Sequence, residues 1–518
     1  MLPSQQWARN FSIQPDDIDY LVNLLLEKET PMTSQQLARI LVEKRLADEV
    51  TALEERFKNT KVYNPAESYT IGNKLVFPKF DFATAVVTDI RAGENPEYGE
   101  FDVMTVMFDD EKLKREFAFN FKQPHILNES ADDLSFFSQS LTVDEILKEA
   151  GDQILQTVED HLRTHSTLIS VAQTWFPKDL MLNVDEGSLN LAEAVLDLAD
   201  GGPLRTEIIL EQIGGLGESH ISLQVFSLNY AMSKDDRFDE VGPTGEVLWY
   251  LRRMEPEDVQ QMPAVLRYTP IDYDTSLILP PMKRIETELA DELSSFDIAQ
   301  GVQEATITLI YPHRRAGTLP LNNKIRNLFP SARKSRRIWF TLVDAQDGEM
   351  YDGWVVPEGK YVAGLDAIYT KYQVPVGAYI TIKRGDKPDQ IVVDCHTHRP
   401  HSEWINVLEL NDNQINFKTT RRNISTEFDD LMIVGIDDLK AVDAFVQSNH
   451  HQRRTLVALL KMIIPPLSKL SVQGSVHIKT IYSVMNILRR CPPGPIMATL
   501  QANPDFESPN GEYWKLAE

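Results

Sequence analysis

Gly-Ser-Val-His-Ile-Lys-Thr-Ile-Tyr-Ser-Val-Met-Asn-Ile-Leu-Arg-Arg (Gly474–Arg490), Cys-Pro-Pro-Gly-Pro-Ile-Met-Ala-Thr-Leu-Gln-Ala-Asn-Pro-Asp-Phe (Cys491–Phe506) and Glu-Ser-Pro-Asn-Gly-Glu-Tyr-Trp-Lys-Leu (Glu507–Leu516) close the chain. Ile478, Ile481, Tyr482, Met485 and Leu488 recur at intervals of three and four, which predicts a helix with one apolar face. Pro492, Pro493 and Gly494 end that helix, and Pro495 sits where a first helical turn tolerates proline. A second short helix should reach Ala502. Phe506 and the cluster Gly511, Tyr513, Trp514 and Leu516 then predict a small hairpin.

The same ending occurs earlier. Asp235–Leu251 matches Asn503–Leu516: each has a Phe in an acidic setting, then Gly-Glu, then Trp and Leu two residues apart. Ahead of the first copy lie two helical segments, Pro203–Leu210 and Leu223–Met232. A weaker third copy opens the chain, with a helix over Ile18–Leu26, a turn and N-cap at Thr30–Thr33, and a second helix over Leu37–Leu46. Helix, tight turn, helix, hairpin is the plan of a winged helix-turn-helix, which presents its second helix to a major groove. Copies separated by unrelated segments predict a multidomain chain rather than a solenoid.

The units at 203–251 and 474–516 resemble the HARE-type helix-turn-helix, a winged-helix class found in chromatin factors, in restriction systems and in the delta subunit of bacterial RNA polymerase (its N-terminal domain). The residues that carry the likeness are Pro203-Leu204 and Val476-His477 before the first helix, the short second helix, and the Phe-Gly-Trp-Leu closure. Members of that class bind nucleic acid or protein. The resemblance therefore implies a fold, and leaves duplex DNA and RNA polymerase both open as partners.

At 518 residues the chain is expected to hold several domains, and 42% apolar content is enough to give them cores. The start, Met-Leu-Pro-Ser-Gln-Gln, lacks a basic segment followed by an apolar run, and no stretch is long and apolar enough to span a bilayer. Cys395 and Cys491 are the only cysteines. That pair argues against a disulfide framework and fits a reducing cytoplasm, so the expectation is a cytoplasmic bacterial protein with no membrane partner.

Net charge is −25, which opposes phosphate binding unless the charge is segregated. It is segregated along the chain. Arg314, Arg315, Lys324, Arg326, Arg333, Lys334, Arg336 and Arg337 lie in a stretch, His313–Arg337, without one acid. Arg453, Arg454, Lys461, Lys469, Lys479, Arg489 and Arg490 lie in a second acid-free stretch, Ala444–Pro504. All of these except Lys461 and Lys469 are the expected DNA contacts, with Met497, Thr499 and Gln501 on the second helix expected to read bases.

Residues 1–66 are expected to form a winged-helix-like helical domain, and 67–127, with alternating strands and turn signals at Arg91–Pro96 and Asp109-Asp110, a small β-barrel of the Src-homology or Tudor kind. An acidic helical connector (128–184), a winged helix-turn-helix (185–258) and a linker with an acidic helix (259–300) follow. Residues 301–394 read as strands near Thr306–Ile310, Arg337–Val343, Tyr351–Val356 and Val374–Ile382, with short helices at Asn323–Leu328 and Ala367–Tyr372. With Leu319-Pro320-Leu321 and Val374-Pro375-Val376-Gly377, this order resembles the DNA-binding pseudobarrel of plant transcription factors and of a restriction-enzyme effector domain. The resemblance implies basic loops entering a major groove. A β-hairpin extension (395–440) and the C-terminal winged helix-turn-helix (441–518) complete a multidomain α+β plan.

Catalysis is not expected. Asp394-Cys395-His396-Thr397-His398 is the best metal-like cluster, but no second ligand pair stands at zinc spacing, so neither metal nor cofactor is assigned. Asp110-Glu111-Lys112 has a nuclease-like look within a charged turn. Gly214-Gly215-Leu216-Gly217 reads as a helix-ending turn, and no phosphate loop, dinucleotide fingerprint or nucleophile elbow is present. The sequence thus points to a DNA-binding transcription regulator. The alternatives are an acidic scaffold on RNA polymerase and, from the restriction-system likeness, a defence reader of modified DNA.

Overall fold

The computed structural model describes residues 11–57, 60–77, 80, 83–109, 113–123, 142–171, 173–295, 301–332, 335–411 and 414–517. The chain is multidomain α+β and divides into two compact units, one of residues up to Asn183 with Leu216–Ser227, the other of Val184–Gly215 with Leu228–Glu518.

In the first unit, α1 (Pro15–Lys28) has proline in its first turn and buries Ile18, Leu21 and Leu25. The two-residue β1 (Met32–Thr33) leads into α2 (Ser34–Phe57). A five-stranded sheet follows in the order β2 (Lys61–Val62), β3 (Lys74–Phe77), β4 (Ala83–Ala92), β5 (Asp102–Phe108) and β6 (Lys114–Phe119). Tyr63, Leu75, Phe77, Val87, Met104, Val106 and Phe119 form its core. The turn at Asp110–Lys112 lies outside the described residues.

The chain then returns to the first helices. A capping box of Thr142 and Glu145 starts α3 (Val143–Thr164), and β7 (Leu168–Val171) and β8 (Thr174–Pro177) form a hairpin whose second strand pairs with β1. Ile146, Ile154, Val158 and Leu162 share one core with Leu21, Leu25, Leu37, Leu41 and Trp175. The described part of 128–184 is therefore no connector. It completes the unit that begins at α1, and the five-stranded sheet is an insertion within it. The four apolar residues of α3 recur at helical spacing, and their partners on α1 and α2 lie more than a hundred residues away in sequence.

The second unit opens with α4 (Glu186–Leu198), β9 (Leu204–Arg205) and α5 (Thr206–Gln212), and continues from Leu228, within α6 (Ile221–Met232), to β10 (Phe238–Glu240) and β11 (Leu248–Leu251), with β9 paired to β11. Gly214, Gly215 and Gly217, all at positive φ, make the turn between α5 and α6. Next, α7 (Pro280–Leu289) ends where Ala290 takes a left-handed φ of 47°. Met282, Ile285 and Leu289 of α7 pack into the same core as Ile463, Ile481, Met485, Ile496 and Trp514. Part of the segment 259–300, expected as a linker, thus belongs to the C-terminal core.

The central sheet comprises β12 (Glu304–Thr308), then, after α8 (Tyr311–Ala316), β13 (Thr318–Pro320), β14 (Ile338–Asp344), β15 (Met350–Val356) and β16 (Tyr361–Ala363). Beyond α9 (Asp366–Lys371) come β17 (Tyr379–Arg384) and β18 (Gln390–Asp394). The strand order is β12-β17-β18-β14-β15-β16-β13, a curled half-barrel in which only the β14–β18 pair is parallel. Two local expectations need correction. Residues 323–328 form turns, not a helix: the Asn322 side chain accepts from the backbone N–H groups of Lys324 and Ile325 as a helix cap would, but the backbone does not continue as a helix before Pro330. His313–Arg315 sit inside α8 and not on an inter-strand loop.

A long hairpin of β19 (Thr397–Asn411) and β20 (Gln414–Thr426) follows, and β21 (Gly435–Ile436) lies parallel to β19. The chain ends with α10 (Leu439–His451), α11 (Leu456–Ser468), β22 (Val476–His477), α12 (Ile478–Leu488), α13 (Pro493–Ala502), β23 (Phe506–Glu507) and β24 (Tyr513–Leu516).

One topology recurs three times: helix, two-residue strand, helix, helix, hairpin, with the two-residue strand paired to the last strand of the hairpin. The register is the same each time. Met32 faces Trp175, Leu204 faces Trp249 and Val476 faces Trp514. Each tryptophan is buried, so its indole N–H needs an acceptor. Trp175 donates to Ser34 Oγ at 2.9 Å. Trp249 donates to Asn229 Oδ1 at 2.8 Å and Thr206 Oγ1 at 3.1 Å. Ser34 and Thr206 are both the second residue after the one that faces the indole. In the last copy that position is Ile478, and Trp514 turns instead to the Gly511 carbonyl at 3.3 Å. Trp175→Phe and Trp249→Phe should each cost about 1–3 kcal/mol, since a buried acceptor loses its donor. Trp514→Phe should cost less because its bond is long. Calorimetric unfolding of the full chain checks this ranking.

Candidate nucleic-acid interface

A run without acids in sequence is not a surface without acids in space. The structure places most of the expected contacts against carboxylates or backbone carbonyls. Arg315 pairs with Asp443 at 2.9 Å, and Arg314 donates to the Val374 carbonyl at 2.5 Å. Lys324 donates to the Glu288 carbonyl at 2.9 Å, and burial lowers its pKa. Arg337 bridges Asp239 at 2.9 Å and Glu255 at 2.8 Å. Arg336 is exposed, 3.9 Å from an equally exposed Glu358. Arg333 and Lys334 lie outside the described residues. Arg326 is exposed and has no acid against it among the described residues.

The second run is more deeply engaged. Lys479, at the start of α12, is buried between Glu288 and Asp429, the latter 3.0 Å away. Arg490 is buried with Asp291 at 2.7 Å and Glu292 at 2.6 Å, and its other nitrogen donates to Asn486 Oδ1 at 2.9 Å. Tyr482 donates to the second oxygen of Asp291 at 2.5 Å, and His313 Nε2 lies 3.3 Å from Glu292. Burial alone would raise the Glu292 carboxyl, but Arg490 and His313 hold it well below the usual carboxylate range. Burial alone would lower the Arg490 guanidinium, which the two acids instead keep charged. Arg489 donates to the Arg454 carbonyl at 3.4 Å, and Arg454 to Gln452 at 2.8 Å with its guanidinium over the Phe445 ring. Arg453 is exposed, without an acid against it among the described residues.

The second helix of the last unit does not face solvent. Pro493–Ala498 and Leu500 of α13 are buried, Met497 completely. Thr499 spends its hydroxyl on the Pro495 carbonyl at 2.7 Å, and Gln501 alone of the three expected base readers is exposed. The reason is composition: Ile496, Met497 and Leu500 are needed by the same core that takes α7.

The β19–β20 hairpin presents a different surface. Ile405, Val407 and Ile424 pack on one face with Ile433. Directly opposed residues share a face, so Ser402 with Asn423, Trp404 with Arg421, and Asn406 with Thr419 project together on the other. Trp404 is 64% exposed, and the Arg421 guanidinium sits 5.1 Å from its ring centroid. Thr419 donates to Asn406 Oδ1 at 2.9 Å. Gln414–Thr426 carries Lys418, Arg421 and Arg422 and no acid. Arg422 and Lys418, opposed to Glu403 and Val407, lie on the opposite face, where Arg422 pairs with Asp437 at 2.5 Å. Lys418 and Arg421 have no carboxylate partner among the described residues, and Arg399 at the foot of β19 is exposed. Sequence patterning exposes the hairpin but not this face, because register alone decides which side chains share it.

The metal-like cluster is dispersed. Cys395 is buried and burial pushes its thiol up to about 12, so the thiolate that a metal needs is disfavoured. His396 bonds Thr381 Oγ1 at 2.7 Å, while His398 stacks near His401 with ring centroids 4.9 Å apart. Among the described residues no group of three His, Cys, Asp or Glu could hold an ion. A half-open hollow of about 200 Å³, lined by Pro203, Arg205, Ile208, Pro243, Glu246, Leu248, Trp339 and Asp389, is crossed by the Arg205–Glu246 ion pair. It is smaller than pockets that take drug-sized ligands. No described helix is long and apolar enough to cross a membrane.

Two outcomes test this charge arrangement. Arg490→Met should destabilise the chain by about 3–5 kcal/mol, because Asp291 and Glu292 are left buried without their cation; denaturant titration reads this. Burial and the neighbouring Asp239 push the Glu255 carboxyl from 4.5 up to about 8. The folded chain therefore binds this proton more tightly than the unfolded chain. Its stabilising contribution is complete below the unfolded value and is lost as pH rises through about 8. Glu255→Gln should flatten that part of the stability–pH curve.

No protein-family model matches this chain, and no curated protein and no solved structure is significantly similar to it.

Proposed function

We propose that this chain is a non-catalytic nucleic-acid-binding protein, a cytoplasmic transcription regulator built on three units of the winged helix-turn-helix kind. Its contact surface is the open face of the β19–β20 hairpin, not the second helix of the last unit. The observation that carries this reading is the hairpin's charge: Arg421 beside the exposed Trp404 on that face, and Lys418 on the other face, stand exposed without carboxylate partners among the described residues, on a chain of net −25. A two-stranded ribbon fits a major groove, and lysine and arginine on it supply the phosphate contacts that dominate affinity. The threefold topology and the curled seven-stranded sheet support the winged-helix and pseudobarrel likenesses. Arg326 and Arg453 add isolated positive points.

The second reading is an acidic scaffold on RNA polymerase. The pairing of Arg315, Arg337, Lys479 and Arg490 with acids favours it, since those cations are not free to meet phosphates.

Anisotropy titrations of the full chain against labelled nucleic acid at several salt concentrations separate the two. With about three or four phosphates neutralised, log affinity should fall against log salt with a slope near −3. Gripping by both basic runs would give a steeper slope, near −5 for about six phosphates. Replacing Arg399, Lys418 and Arg421 by Gln should reduce the slope by about 2–3 units. A flat salt response would favour the scaffold.

A further inference from the structure

The geometry points to Trp404 and Arg421 as a stacking platform for an unpaired base, so that the hairpin prefers single-stranded to duplex nucleic acid. This rests on the nucleic-acid reading above and names its substrate class.

Trp404 is 64% exposed, and the apolar pairs of its sheet face, Leu408 with Phe417 and Leu410 with Ile415, lie beyond Asn406 and pack into the C-terminal core, so the pairs next to the ring are polar. Its same-face neighbours are Ser402, Asn406, Thr419, Arg421 and Asn423. A protein-docking patch would surround the ring with apolar area to bury, and here the surround is hydrogen-bonding. The Arg421 guanidinium lies over the ring, 5.1 Å from its centroid, and holds the indole by a cation–π contact on one face, which leaves the other face for a base. Every base has a π-face that can lie on the exposed indole, and stacking of this kind is tolerant of sequence. In a duplex those faces are already stacked on neighbouring bases, so only an unpaired base can use the platform.

The flanking pairs complete the site. Each lies one pleat repeat from Trp404, about 6.8 Å along the strand. The Asn406 amide oxygen is held by Thr419 at 2.9 Å, which leaves its NH2 group directed to a ligand's acceptors, while Ser402 and Asn423 lie on the other side. Arg421 on this face and the exposed Arg399 near the start of β19 are the available phosphate partners. Arg421→Lys would keep the charge and lose the planar stack.

The test uses the full chain and two labelled probes of equal length, an oligo-dT strand and a self-complementary hairpin duplex, with Trp404→Ala and Trp404→Phe variants. Thermal unfolding verifies that the exposed substitution leaves the fold intact. The expected result is tighter binding of oligo-dT than of duplex, weakened by at least about tenfold in Trp404→Ala, retained in Trp404→Phe, with duplex binding unchanged. Equal affinity for the two probes, or oligo-dT binding indifferent to Trp404→Ala, overturns the stacking platform while the nucleic-acid reading stands. Binding of neither probe at low salt removes both, and a proline-rich peptide that quenches Trp404 in place of oligo-dT would reassign the face to protein recognition.

Discussion

Arg490 is the interaction on which the larger unit depends. Its guanidinium lies in the interior with Asp291 and Glu292, and Tyr482, Asn486 and His313 stand around them. Charges removed from water at this depth are tolerable only when they are paired and hydrogen-bonded. The partners come from three places: the segment after α7, the start of α8 below the central sheet, and the C-terminal helices. The ion cluster therefore fixes the register of elements that hydrophobic packing alone would let slide, and the adjacent pair of Lys479 with Asp429 extends it. An apolar replacement of the whole set could match it in stability, but would not specify which element meets which.

The chain is built by repetition. Three helix–strand–helix–helix–hairpin units share one pairing rule, in which a buried tryptophan on the last strand faces the first residue of a two-residue strand. So short a strand contributes few ladder bonds. The indole, with its fixed shape and single donor, supplies the specificity that the ladder lacks. Where Ser34 or Thr206 offers a hydroxyl the indole takes it, and where Ile478 does not it finds a carbonyl nearby. The first unit accepts a whole five-stranded sheet between its second and third helices. Such an insertion is cheap in loop-closure terms, since closure entropy rises only slowly with length.

The same electrostatics shape the functional reading. Net charge repels phosphate at long range, and pairing with acids or backbone carbonyls takes up most of the described cations that would offset it locally. What is left for a polyanion is a narrow ribbon carrying Lys418, Arg421 and an open indole, with Arg326 and Arg453 as isolated points. Contact there depends more on stacking and hydrogen bonding than on a broad positive field.

Much of the last unit was legible by itself. The spacing of Ile478, Ile481, Tyr482, Met485 and Leu488, and the Pro-Pro-Gly break, specify α12 and α13 because local backbone chemistry is enough to start and stop helices. The likeness of Asp235–Leu251 to Asn503–Leu516 identified two copies for the same reason: the hairpin residues are contiguous. The third copy was half hidden because Trp175 and its hairpin stand 141 residues beyond Ser34, whose hydroxyl the indole meets. Charge was the least legible property. Acid-free runs around Arg337 and Lys479 say nothing of Asp239, Glu255, Asp429 and Glu288, which only folding brings to them. Burial of Met497 likewise follows from α7 needing a partner, a demand made by a distant segment. Element type and the repeat belong to the chain's local pattern; which cations stay free, and which face carries Trp404 beside Arg421, was decided by long-range packing and strand register, because charge and exposure are properties of neighbours in space.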